Sequence, residues 1–174
     1  MPELEYVEKG QEPEELAEIY SGMESKLKRV PNIFKMMAHA PKVLQQVLEF
    51  SRVLASTKLD AQLRELAYIK SSLVNDCEYC AHHHKALGRR AGLTDEKLEA
   101  LDDFENSDLF NDLEKLVLQY AEDLTRDVKT ERKVLEALKE HLSPQELVEL
   151  NATVGLANLT NRFNESFGTE LEEG

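Results

Sequence analysis

The chain has no tryptophan, only two cysteines, and few glycines and prolines: seven and five among 174 residues. So few breakers leave long stretches free to become helix, and a composition led by Leu, Glu, Ala and Lys favours that outcome. No run reaches eighteen consecutive apolar residues, so no membrane span is expected. Positive charge is scarce as well. Lys and Arg number 21 against 34 Asp and Glu, a net charge of −13. The basic clusters, such as Lys26-Leu27-Lys28-Arg29 and Arg89-Arg90, are too short to track a phosphate backbone, which argues against a nucleic-acid partner. The N-terminal Met-Pro-Glu-Leu-Glu lacks the basic-then-apolar order of a signal peptide, so a cytoplasmic protein is expected. In a reducing compartment a lone Cys-x-x-Cys points to redox activity or metal binding rather than to a permanent staple.

Hydrophobic residues make up 41% of the chain, enough for a sizeable core, and their spacing predicts an all-α fold. A first helix follows Pro13, with Leu16, Ile19, Tyr20, Met23 and Leu27 on one face. After the Pro31-Asn32 break come helices over 33–39, 43–56 and, capped by Asp60, from there to about Asn75. The cysteine helix starts near Asp76 or Cys77 and stops at Gly92. Thr94 starts another. Residues 102–111 read as an acidic loop, and helices follow at about 112–126 and 130–141. Ser143-Pro144-Gln145-Glu146 combines a capping box with proline at the first position and launches a last helix to about Phe167. We expect one domain over 1–174, with a redox core at about 43–100 and a frayed acidic tail at 169–174.

A weak internal repeat runs beneath this pattern. Val47-Leu48-Glu49-Phe50-Ser51 matches Val117-Leu118-Gln119-Tyr120-Ala121, and Leu63-Arg64-Glu65-Leu66 matches Leu147-Val148-Glu149-Leu150. Carried forward, the second offset sets Asn161 opposite Cys77 and Asn164 opposite Cys80. The order of matches suggests two weakly related helical halves, of which only the first carries thiols.

The chemistry gathers in Glu65, Cys77, Cys80 and His84. At ~100° per residue, Cys77, Cys80 and His84 share one helix face, with the cysteines at the N-terminal end, where the dipole favours a thiolate. His84 lies one turn beyond Cys80 and can pass a proton near neutral pH. A short Asn75-Asp76 turn would fold the preceding helix back and bring Glu65 to the thiols or to His84. The residues alone leave three readings open: a redox dithiol, two structural cysteines, or a metal site built from Cys77, Cys80, His84 and Glu65. His82 and His83 read as solvated neighbours, with His83 and Tyr79 as candidates for a supporting role.

With its spacing of Glu65-x11-Cys77-x-x-Cys80-x3-His84, the chain resembles the alkylhydroperoxidase (AhpD-like) branch of the carboxymuconolactone decarboxylase family. Leu63-Arg64-Glu65-Leu66-Ala67, Arg29-Val30-Pro31-Asn32-Ile33-Phe34 and Asn161-Arg162-Phe163-Asn164 resemble its peroxidase-related subgroup. The resemblance implies an AhpD-like helical bundle that forms trimers or hexamers. It also implies a peroxidase-type oxidoreductase of antioxidant function, acting on a hydroperoxide without a cofactor or metal. In that scheme Cys80 is the peroxidatic cysteine, Cys77 the resolving cysteine, and Glu65 with His84 the proton relay. The reductant would be a dithiol, lipoyl-linked in the family's best-known members. Those members often carry histidine between the cysteines, where this chain has Tyr79, a poor base at neutral pH. The alternatives are a redox-sensing oligomer without catalysis, or a decarboxylase-like or metal-binding member. The decarboxylase branch lacks the cysteine pair.

Overall fold

The computed structural model describes residues 1–172, and no residue among them lies in a strand. The expected all-α architecture is the observed one. A 3-10 turn, Glu14–Leu16, leads into α1 (Ala17–Leu27). Then come α2 (Asn32–Met37), α3 (Pro41–Ala55), α4 (Ala61–Val74), α5 (Glu78–Ala91) and α6 (Asp95–Glu99). The last three are α7 (Asp112–Asp127), α8 (Arg132–His141) and α9 (Pro144–Phe167). No described helix is long and apolar enough to cross a membrane.

The local signals explain these boundaries. Gly92, at φ 103°, closes α5, with Leu93 N–H donating to the Gly88 carbonyl at 2.9 Å. Asn111 and Glu114 cap α7 reciprocally. Ser143 N–H donates to Glu146 Oε2 at 2.9 Å, the expected capping box of α9. These hydrogen bonds from Ser143 hold the Glu146 carboxyl below its ordinary range.

Packing divides the chain into two compact units, where the sequence reading takes it as one domain. Residues 54–163 form one unit; residues 1–53 and the chain from Asn164 onward form the other. The second of these buries Leu16, Tyr20, Ile33, Met36, Met37 and Leu44. Its acidic tail is hydrogen-bonded as far as residue 172 rather than frayed. Asn32 Nδ2 donates to the Glu170 carbonyl at 3.0 Å, and Asn32 N–H donates to Glu172 Oε1 at 2.7 Å. Residues 173–174 of the expected tail lie outside the described residues.

The unit of residues 54–163 holds every candidate site residue. In it α4 packs against α5 and α7, and α7 against α8. Its core joins Leu66, Ala67 and Ile69 of α4 to Val117, Leu118 and Ala121 of α7, Leu138 of α8, and Leu150 and Val154 of α9. The acidic stretch 102–111 is the expected loop from residue 104 onward. A 3-10 turn, Ala100–Asp103, enters it, and Leu101, Phe104 and Phe110 anchor it in the same core.

The segments matched in the sequence lie on α3 and α7 and on α4 and α9, with α8 between α7 and α9. They diverge where the chemistry sits, because α4 breaks after Val74 while α9 runs on unbroken through Asn161. Val128, after α7, is a β-branched residue in the left-handed region at φ 64°, with its side chain in solvent. Such a residue costs roughly 1–2 kcal/mol there relative to glycine or asparagine. Val128→Gly is therefore expected to raise stability by about 1 kcal/mol in urea unfolding, after subtracting glycine's greater unfolded-state entropy; an unchanged or lower midpoint would refute this account.

Candidate active site

α4 begins where the Asp60 carboxylate accepts from the Gln62 and Leu63 N–H groups, at 2.8 and 3.2 Å. It then runs through the core with polar groups aboard: Glu65, Tyr68, Lys70, Ser71 and Ser72 are all buried. Buried polar groups need partners, and each of these has one. The Ser71 and Ser72 hydroxyls donate back to the Ala67 and Tyr68 carbonyls, both at 2.9 Å. The Lys70 ammonium pairs with Glu122 at 2.9 Å and lies over the Phe104 ring. Glu65 meets His84: Nδ1 stands 2.8 Å from Glu65 Oε2, while the Arg64 guanidinium approaches the other carboxylate oxygen at 3.5 Å. A carboxylate only accepts, so His84 donates through Nδ1, which leaves Nε2 as the basic nitrogen of the neutral ring.

Between the helices, Asp76 takes a left-handed conformation at φ 53°, which Asp tolerates better than most residues. Cys77 N–H donates to the Ser72 carbonyl at 2.9 Å, and Cys77 becomes the N-cap of α5 rather than part of the helix. Its side chain makes no capping hydrogen bond. Cys80 lies in the first turn of α5. Both cysteines are buried, they are not bonded to one another, and they stand 3.2 Å apart. A thiolate formed here sits in the favourable field of the helix N-terminus. The structure thus brings Glu65 to His84 and sets Cys77 beside Cys80. Tyr79 and His83 form a separate pair one position round the helix, their rings 4.5 Å apart and tilted, with His82 edge-on to His83. Among the described residues, no three of His, Cys, Asp and Glu are placed to share a metal ion.

The sequence pattern missed two sets of residues. The first is an amide clamp on the turn. Asn75 Nδ2 donates to Asn158 Oδ1 at 3.1 Å and to Asn161 Oδ1 at 3.0 Å, and Asn161 Nδ2 donates to Ser72 Oγ at 3.0 Å. Asn161, singled out in the sequence as the counterpart of Cys77 and within the segment 161–164 but given no role, therefore grips the segment that presents Cys77. The second is Tyr68, whose ring stacks on His84 with centroids 3.4 Å apart and planes 10° from parallel. Its position three residues after Glu65, on the same face of α4, was the available signal.

Comparison with known proteins fits this geometry. Residues 41–123 match the model of the carboxymuconolactone decarboxylase family. The Escherichia coli K12 protein YnjA is 37% identical over 108 residues, which are 61% of this chain and 59% of YnjA; the match thus spans less than two thirds of that relative. A solved structure described as an alkylhydroperoxidase AhpD core, a peroxidase-related protein from Ralstonia eutropha JMP134, has a TM-score of 0.83 at 21% identity. It covers 99% of this chain and 93% of its own. The debrominase Bmp8, solved with 2,3,4-tribromopyrrole, has a TM-score of 0.80 at 21% identity, covering 91% and 86%. These two structures share the fold.

Asn161→Ala would leave the Asn75 amide and the Ser72 hydroxyl short of a partner. The expected cost is ~1–3 kcal/mol of stability, together with faster alkylation of Cys77 in the folded protein, read by mass spectrometry. Unchanged alkylation would show that the clamp does not hold the turn.

Proposed function

The chain belongs to the carboxymuconolactone decarboxylase family, and on that premise we propose that it is a thiol-dependent hydroperoxidase acting through Cys80, Cys77, Glu65 and His84. The observation that carries this reading is the 2.8 Å bond from His84 to Glu65, one helical turn beyond two buried cysteines that stand side by side as thiols.

His84 Nε2 takes the proton of the Cys80 thiol, and Glu65 supports the imidazolium that results. The Cys80 thiolate attacks the terminal peroxide oxygen. An S–O bond forms, the O–O bond breaks, and the alcohol departs with the proton that His84 returns. Cys80 is now a sulfenic acid. Cys77 gives its proton to His84 and, as thiolate, attacks the Cys80 sulfur. The S–S bond forms, the S–O bond breaks, and the hydroxide leaves as water with the proton that His84 returns. An external dithiol, lipoyl-linked in our reading, restores two electrons and two protons by thiol–disulfide exchange. We expect the working form to be an oligomer of this chain, a trimer or hexamer.

Tyr79 bears on substrate choice. It replaces a base between the cysteines with a phenol packed on His83, so proton transfer rests on His84.

Stopped-flow mixing of the reduced protein with hydroperoxides, with mass detection of Cys80, tests the reading. Cys80→Ser should abolish turnover, and Cys77→Ser should leave the sulfenic acid trapped on Cys80. Glu65→Gln should slow oxidation by ~10²–10⁴-fold, the usual worth of general acid–base catalysis. Turnover retained in Cys80→Ser overturns the proposal. Debromination of a bromopyrrole without peroxide consumption also overturns it. A change of assembly size on oxidation without turnover would make the protein a redox sensor instead.

A further inference from the structure

We propose that Tyr68 is a positioning residue of this site, holding the His84 imidazole in plane through its ring while its own hydroxyl proton is kept out of the reaction. The inference rests on the role given above to His84 as proton relay.

The ring of Tyr68 lies nearly parallel to that of His84, with centroids 3.4 Å apart. Glu65 holds the imidazole at one atom, Nδ1. A single hydrogen bond leaves the ring free to swing about it, and swinging would carry Nε2 off line. A flat aromatic face against the imidazole removes that freedom. Its π density also favours the imidazolium that forms when His84 takes the thiol proton.

The hydroxyl end has a different task. Tyr68 Oη hydrogen-bonds Thr160 Oγ1, and Thr160 Oγ1 also lies 3.0 Å from the Leu156 carbonyl and 3.1 Å from the Ala157 carbonyl. A carbonyl accepts only, so the single hydroxyl proton of Thr160 goes to α9. The proton between Thr160 and Tyr68 must therefore come from Tyr68. That proton points at Thr160, not at the thiols. Burial, and then the negative charge that Cys80 carries as thiolate, hold the phenol protonated well above its ordinary range. Tyr68 is thus anchored at its tip and works with its face, while Nε2 of His84 moves the protons.

Four variants separate face from tip. Tyr68→Phe keeps the stack and drops the hydroxyl. Thr160→Val removes the anchor from the other side. Tyr68→Leu and Tyr68→Met remove the aromatic face, and two are made so that at least one folds, checked by circular dichroism. The readouts are the side-chain ¹⁵N shifts of His84, which report its tautomer, and the rate of Cys80 oxidation by peroxide. The expected result is that Phe and Val keep the Nδ1–H tautomer and a rate within about threefold of the native protein. Leu and Met should give a mixture of tautomers and a rate lower by ~10–100-fold, the scale of a misplaced catalytic group. Native-like shifts in both aliphatic variants overturn the proposal, as does a Phe variant as impaired as they are. The nitrogen shifts need no turnover, so they decide the role of Tyr68 even if the native protein consumes no peroxide and the hydroperoxidase reading falls.

Discussion

The burial of α4 constrains the rest of the structure. A helix sunk into a core would ordinarily be apolar, but this one carries a carboxylate, a phenol, an ammonium and two hydroxyls. Each would destabilise the fold by ~1–3 kcal/mol or more if left without a partner, so each dictates what must stand beside it. Lys70 requires Glu122 on α7. Tyr68 requires Thr160 on α9. Glu65 requires a donor, and His84 on α5 supplies it. The arrangement of helices around α4 thus answers a list of polar demands as much as an apolar one, and the candidate active site is one of those answers.

Much of this was legible in the chain and some was not, for reasons that differ residue by residue. Caps and breaks act over three or four positions, so Asp60, Gly92 and Ser143-Pro144 gave their helix ends almost to the residue. The Glu65–His84 pairing was reachable because a turn of two residues leaves two helices little choice but to lie side by side. The acidic stretch 102–111 was legible as a loop, but its charge count hid Phe104 and Phe110, which decide where it goes. Tyr68 was passed over because periodicity places an aromatic on a helix face as core filling and says nothing of its polar tip. The amide clamp joins residues 83 and 86 positions apart, a distance at which a single sequence carries no signal.

The internal repeat gains physical content from the comparison of Glu65 with Glu149. Both are buried at matching places on α4 and α9. Glu149 spends its oxygens on the Leu59 N–H, at 2.8 Å, and on Gln145 Nε2, at 2.7 Å. It is a structural carboxylate that fastens the loop ahead of α4. Glu65 has an imidazole in place of those amides, so its charge couples to a proton that can leave. One buried carboxylate ties down a loop; the other holds an imidazole and, in the proposed mechanism, belongs to a relay.

The clamp on the Asn75–Cys77 turn uses amide groups and a serine hydroxyl, not sulfur. Scaffold and thiols therefore rest on different residues. A change at Cys80 would remove the proposed thiol chemistry while every hydrogen bond of the clamp stays in place; a change at Asn161 strikes the architecture first. A variant that lost both cysteines would keep every hydrogen bond of this hairpin, whereas one that kept the cysteines and lost Asn161 would carry them on a slack turn.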